Sequence, residues 1–252
     1  MIKHITLVLG LAAVLPAGAS TLFPTVGEKQ QARMGIGAAA LVENEGYRDG
    51  GTETEALPVF FYQGERLRVL GPQATYRVLG DRDTHIGLRV DYRFDGYEKD
   101  DGKIFEGMAE RKSGIAVGLA GQLRFGPGNI YYSAARSVSA SKGIYATIQY
   151  GIPMEIKGWT VVPRAGVELF NARYADYYFG VRPAEARAGR PAYEAGRALN
   201  LDVGIDLHRD LGRHHTVFGS VKYRRYDSAI KDSPLMEKSA SPRMNIGYLY
   251  RF

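Results

Sequence analysis

The 252-residue chain contains no cysteine. Disulfide staples, thiolate metal sites and cysteine nucleophiles are therefore excluded. Histidine is also scarce, with five copies at positions 4, 85, 208, 214 and 215. Beyond the first 20 residues no apolar run approaches the roughly 20 residues that a membrane-crossing helix needs. Lys and Arg exceed Asp and Glu by six, and neither sign gathers into a block. That modest, dispersed excess argues against a nucleic-acid partner. No glycine-rich phosphate loop sits between a strand and a helix.

The N-terminus reads as a targeting segment. Lys3 supplies a positive start, an apolar run follows from Ile5 to Leu15, and Ala17-Gly18-Ala19 is a small-x-small cleavage site. A secretory leader over residues 1–19, cut after Ala19, leaves one mature domain over residues 20–252 with a charge of +5 once Lys3 is lost from the +6 total.

The chain is rich in alternation. In residues 197–210, Leu199, Leu201, Val203, Ile205 and Leu207 alternate with Asn200, Asp202, Gly204, Asp206 and His208. A strand sends successive side chains to opposite faces, so one face is wholly aliphatic and the other polar. A strand that tilts across a bilayer is about 9–11 residues long. Similar stretches occur at 34–42, 56–62, 65–70, 73–79, 85–94, 113–125, 129–137, 144–150, 159–169, 215–226 and 244–252. With 197–210 these make twelve strands. The mean hydropathy of −0.24 resembles that of a soluble protein, which is what half-polar membrane strands produce. Long connections at 43–55, 95–112, 170–196 and 227–240 alternate with tight turns such as Gln63-Gly64 and Gly126-Pro127-Gly128. The pattern predicts an all-β fold: a transmembrane antiparallel up-and-down β-barrel with both termini in the periplasm, short periplasmic turns and long outer loops. A soluble lipocalin-like barrel would place its apolar face inside instead. Tyr92 and Tyr223 fall at the outer rim and Phe125, Trp159 and Phe252 at the periplasmic rim, as interfacial aromatic girdles do. Pro163 removes a ladder donor within a strand and predicts a bulge or kink there.

The polar faces assign a set of lumen charges: Arg89, Asp91, Arg93, Arg124, Arg164, Glu168, Asp202, Asp206, Lys222, Arg224, Arg243 and Arg251. Two consequences compete. Surplus Arg in an open lumen would favour small anions, whereas pairing across a narrow barrel would close it. The connection at 170–196 is too aromatic for a solvated tail. Tyr177, Tyr178, Phe179 and Tyr193 are expected to fold over or into the barrel mouth, with Arg182, Arg187 and Arg190 pairing carboxylates and Pro183 opening a helical turn. The four mature histidines map to the periplasmic end, away from the outer carboxylates, so no general base is in place and no enzyme activity is expected. His208, His214 and His215 surround one turn, but adjacent positions 214 and 215 point to opposite faces, and solvated turn residues are the simpler reading. Neither a metal nor any other cofactor is expected.

The C-terminal strand ends in Tyr248, Tyr250 and Phe252, whose terminal aromatic resembles the signal read by the outer-membrane assembly machinery. The segments MGIGAAALVENEGY and LPVFFYQGERLRVLG (within 34–71), YYFGVRPAEA and GRPAYEAG (within 177–196), the DSP at 232–234 and the final YLYRF together resemble the MipA/OmpV family. That resemblance implies a barrel held in outer-membrane lipid. It further implies an interaction role in which a murein lytic transglycosylase is linked to a murein synthase. A small-solute channel with an Arg-rich lumen is the alternative.

Overall fold

The computed structural model describes residues 33–252; the expected leader and its cleavage after Ala19 lie outside the described residues. The strands are β1 (Arg33–Glu43), β2 (Glu53–Gln63), β3 (Leu67–Leu70), β4 (Gln73–Gly80), β5 (His85–Arg93), β6 (Gly114–Phe125), β7 (Gly128–Ser137), β8 (Ile144–Gly151), β9 (Met154–Ile156), β10 (Trp159–Phe170), β11 (Ala198–Leu211), β12 (His215–Arg225) and β13 (Ala240–Arg251). Neighbours in sequence pair antiparallel, β10 takes both β8 and β9, and β13 closes on β1 from Gly35↔Arg251 to Glu43↔Arg243. The segments β8 and β9 meet β10 in one register, Arg164↔Gly151 and Val161↔Met154. They are two pieces of one stave, so the closed barrel has twelve staves.

Of the bulge or kink expected at Pro163, the bulge is absent. Register runs unbroken past it, and Pro163 still accepts from Ile152 N–H at 3.2 Å. The partner strand also carries a proline, Pro153, so the ladder loses donors locally without gaining a residue. The irregularity sits instead in β4, where register shifts between Arg77 and Leu79.

The alternation is inverted relative to a soluble barrel. Leu199, Leu201, Val203 and Ile205 are 44–53% exposed, whereas Asn200, Asp202, Asp206 and His208 are 0–8% exposed. Aliphatic surplus outside and polar groups inside place the exposed face in lipid, and the lipocalin-like arrangement is excluded.

The lumen is not polar throughout. Ala39, Val59, Phe61, Leu70, Phe218 and Leu249 form a buried apolar cluster inside the staves β1–β3, β12 and β13, with Leu57 against it. The cause lies in β2, whose apolar run supplies both faces, and in the small residues opposite. A Cβ on Gly247 would meet the Phe218 ring at 2.3 Å, so only glycine lets that ring lie across β13. Strand alternation alone does not reveal this inward aliphatic layer.

Candidate functional site

The outer loops build a second core on the barrel mouth. Asn171 caps helix α1 (Ala172–Phe179) by accepting from Tyr174 N–H at 2.9 Å, and it also accepts from Ile144 N–H at 2.9 Å. Tyr174, Ala175, Tyr178 and Phe179 then fall on one buried face, the i, i+4 spacing that pairs side chains on a helix. Helix α2 (Ser228–Lys231) is capped by Asp227, which accepts from Ala229 N–H at 2.9 Å. These faces join Tyr47, Tyr97, Phe105, Met108, Phe170, Tyr226, Ile230, Leu235 and Met236 in one buried cluster. Tyr97 stacks on Phe105 at 4.0 Å and Phe179 on Tyr47 at 5.9 Å between ring centroids. Tyr177 is half-buried on the same helix, its hydroxyl accepting from Lys112 N–H at 3.1 Å, and Tyr193 donates to Ala229 O at 3.1 Å. The chain turn at Pro183–Glu185 is a 3-10 helix. Strand patterning does not reveal α1; Asn171 followed by Tyr174 and Tyr178 is the signal that marks it.

Two loops are clasped together by buried charge. Glu185 takes Arg111 at 2.7 and 3.1 Å and Ala109 N–H at 3.0 Å. Burial alone would raise the Glu185 carboxyl; the Arg111 guanidinium and the amides of Ala109 and Arg182 outweigh it and hold the carboxyl down at about 2. Arg190 is 1% exposed and donates to the carbonyls of Glu185, Ile104 and Glu106. It therefore binds backbone rather than the carboxylate expected of it. Arg187 lies 3.6 Å from Glu106, and Arg182 lies 4.0 Å from Glu185. These partners belong to the loops, not to the lumen.

Below this lid the lumen charges meet in pairs. Glu168 bridges Arg93, at 3.1 Å, and Arg224; Asp202 takes Arg224 at 2.8 Å and Lys222 at 2.7 Å; Arg243 pairs with Glu43. Arg93 also holds Asp95 at 2.5 Å, and Tyr174 donates to the same carboxylate. Burial works against the Asp95 charge, but Arg93 and the Tyr174 hydroxyl prevail and keep the group near 2. Elsewhere in the lumen Arg89 pairs with Asp91 at 2.8 Å, Tyr145 donates to Asp91 at 2.6 Å, and Arg164 pairs with Asp206 at 2.5 Å beneath the Tyr131 ring. Arg251 reaches Asp210 at 3.1 Å. Arg124 is different: 67% exposed and paired with Asp83 at 3.1 Å, it stands at the periplasmic rim rather than in the lumen, because its strand ends one residue later. Between lid and charge layer lies a small recess bordered by Glu43, Glu45, Asp95, Tyr174, Arg224 and Arg243.

His208, expected as a solvated turn residue, is instead 6% exposed on the inward face of β11, whereas His214 and His215 lie at the turn that follows. His214 hydrogen-bonds Arg251 O at 2.9 Å and His215 meets Tyr248 Oη at 2.5 Å. Among the described residues no group of three His, Asp or Glu is disposed to hold a metal. Tyr248, Tyr250 and Phe252 lie on the outward face of β13 and at its end, 41%, 38% and 68% exposed.

Comparison with known proteins fits this architecture. A family described as MltA-interacting protein MipA matches residues 36–252. Outer membrane protein Omp26La of Vibrio anguillarum is 27% identical over 81% of each chain. The MltA-interacting protein of Escherichia coli is 23% identical over 88% of this chain and 91% of its own. Among solved structures, an outer membrane channel from Pseudomonas putida F1 has a TM-score of 0.49 at 12% identity, covering 91% of this chain and 99% of its own. With lipid-facing strands, a closed twelve-stave sheet and relatives named as outer membrane proteins, this chain is an outer-membrane β-barrel, and it belongs to the MltA-interacting protein MipA family.

Proposed function

We propose that this barrel is an outer-membrane docking platform that holds a murein lytic transglycosylase, together with a murein synthase, at the periplasmic face. The observation that carries this reading is the obstructed lumen. Arg93, Glu168, Arg224 and Asp202 are linked by ion pairs, and an aromatic lid covers them. A barrel obstructed in this way offers a rigid surface rather than a path. The name of the Escherichia coli relative, MltA-interacting protein, supports the same partner class. In this reading Tyr248, Tyr250 and Phe252 serve the assembly machinery by strand addition, and the lumen charges serve rigidity.

A small-solute pore is the second reading, and the surplus of inward Arg favours it. Single-channel recording of the purified protein in planar bilayers separates the two. The platform predicts no steady conductance, together with capture of a lytic transglycosylase by the immobilised barrel. Stable conductance steps without capture would replace the platform by the pore.

A further inference from the structure

One wall of the barrel carries unpaired positive charge on its outward side. From Lys112 to Met154 the chain has no Asp or Glu, whereas the preceding loop, 95–111, has six. Within that stretch Arg124 belongs to the periplasmic rim. Lys112, Arg136 and Lys142 are exposed at or just beyond the outer ends of β6, β7 and β8. Arg173, also exposed, joins them from the first turn of α1, a turn with no acidic residue. Among the described residues none of these four cations has an ion pair. The inward cations Arg89, Arg93, Arg164, Lys222, Arg224 and Arg243 all have one.

The four gather around one short loop beside the lipid face. Arg136 points outward between its register partners Val117 and Ile144, which are 42% and 47% exposed. A charge on a lipid-facing strand is costly at the bilayer centre and nearly free at the interface, and Arg136 stands one residue from the end of β7. Val138 follows on the same side, and the Lys142 ammonium donates to its carbonyl. Lys142 is held at φ 56°, a left-handed backbone that lysine rarely adopts. Its loop is pinned by Val138 N–H to Ile115 O at 2.8 Å and by Ser137 N–H to Gly143 O at 2.9 Å. Ile144 N–H donates to Asn171, the cap of α1, which brings Arg173 beside the Arg136 row. Lys112 stands on the other flank, two residues before Gly114, where a Cβ would meet Ser139 and Ala140 of the same loop. On the membrane side of Arg136, Ala134 pairs with Ala146 between Leu119 and Leu169, which leaves a shallow apolar furrow.

We propose that this patch binds the phosphorylated head of an outer-leaflet glycolipid. Arg136 and Lys142 take one phosphate, Arg173 and Lys112 receive a second acidic group, and an acyl chain lies along Ala134 and Ala146. A guanidinium holds phosphate through parallel charge-assisted hydrogen bonds, and clustered basic residues beside a membrane draw anionic headgroups. The site faces the outer leaflet rather than the periplasm, and it stands whether or not the barrel docks a murein enzyme.

The test is titration of the purified, folded barrel in a non-ionic detergent with diphosphoryl lipid A, read as lipid bound per barrel by native mass spectrometry. Monophosphoryl lipid A and phosphatidylethanolamine are the comparison lipids. The expected result is saturable binding of diphosphoryl lipid A, weaker binding of the monophosphoryl form and no saturable binding of phosphatidylethanolamine. Arg136→Gln should weaken diphosphoryl lipid A binding by about tenfold, as loss of a charged hydrogen bond does. The Lys142→Gln/Arg173→Gln double variant should weaken it by a similar factor. Arg225→Gln, exposed at the outer end of β12 away from the patch, should leave it unchanged. Equal affinity for the three lipids, binding unchanged in both patch variants, or an equal loss in Arg225→Gln would overturn the proposal. If a patch variant does not fold, the order of the three lipids on the native barrel decides alone.

Discussion

Two regions of the lumen are filled by different means. At the outer end the lumen holds interlinked ion pairs under a lid of aromatic rings. Along β1–β3, β12 and β13 it holds an aliphatic cluster around Phe61 and Leu249. Aliphatic packing stabilises in proportion to the apolar area removed from water and tolerates small displacements. A buried ion-pair net stabilises only when every member is satisfied, because an orphaned charge in a dry site is costly. The aliphatic region is therefore tolerant and the charged region brittle: one substitution there releases several partners at once.

The sharpest way to break this comparison is Glu185→Ala. It strands Arg111, which is 1% exposed at its side chain, and removes the acceptor for Ala109 N–H. Loss of one member of a buried pair costs about 3–5 kcal/mol, here spent on lid closure rather than on the membrane strands. Trypsin applied to intact cells should cleave the variant after Arg182, Arg187 or Arg190 and leave the native lid intact. Rapid cleavage of the native protein at those sites would mean that the lid is an open loop.

Next in size is the lipid face. Val203→Arg places a charge on a side chain that is 53% exposed to lipid and should cost about 2–4 kcal/mol near the bilayer centre. Asn129→Arg, on the half-buried inward face of β7, should cost much less. Asn200, which the alternation alone would nominate as the control, is fully buried and accepts from Asp227 N–H at 3.0 Å, so it is unsuitable. Equal urea midpoints for Val203→Arg and Asn129→Arg would invert the assignment of faces.

That choice of control marks how far the sequence reaches. Alternation in 85–94, 197–210 and 244–252 makes the barrel, its topology and the inside-outside assignment readable, because side-chain period in a strand is fixed by geometry. It makes readable which charges face inward, but not which partners they take: Arg93 finds Glu168 seventy-five positions away, across the lumen. The aliphatic layer is hidden because Ala56–Tyr62 is apolar at every position, which leaves its face undecided. The short reach of β3 is hidden as well, since nothing local in Leu67–Leu70 states that it pairs with β2 only from Phe61 to Gln63.

Acid should affect the two regions differently. Asp95 and Glu185 are both held near 2 in the folded lid, against unfolded values of about 3.9 and 4.3. A depressed carboxyl contributes stability that is complete above the unfolded value and disappears as pH falls through the folded one. The lid should thus loosen between about pH 4 and pH 2, losing on the order of 2–3 kcal/mol per group, while the aliphatic cluster is indifferent. Glu45 carries the opposite sign, because its raised carboxyl favours the folded lid when protonated. Hydrogen exchange at residues 172–185 and on β13 tests this. Equal acid sensitivity of the two regions would erase the distinction between them.

The smallest effect on the finished barrel is expected from deleting Phe252. The side chain is 68% exposed and touches Tyr250 at 5.5 Å between ring centroids, and Phe252 N–H donates to Met34 O at 2.9 Å. One exposed ring and one terminal hydrogen bond are worth about 1 kcal/mol, well below the changes expected at the lid. During assembly, before β13 closes on β1, that strand is a free edge that carries Tyr248, Tyr250 and Phe252, the form in which another sheet can bind it. Deletion should therefore leave export unchanged and the unfolding midpoint of the assembled fraction nearly native, while lowering the amount that reaches the outer membrane. Membrane fractionation beside a urea titration measures both. Normal yield with a reduced midpoint would assign Phe252 to the stability of the closed seam instead of to its assembly.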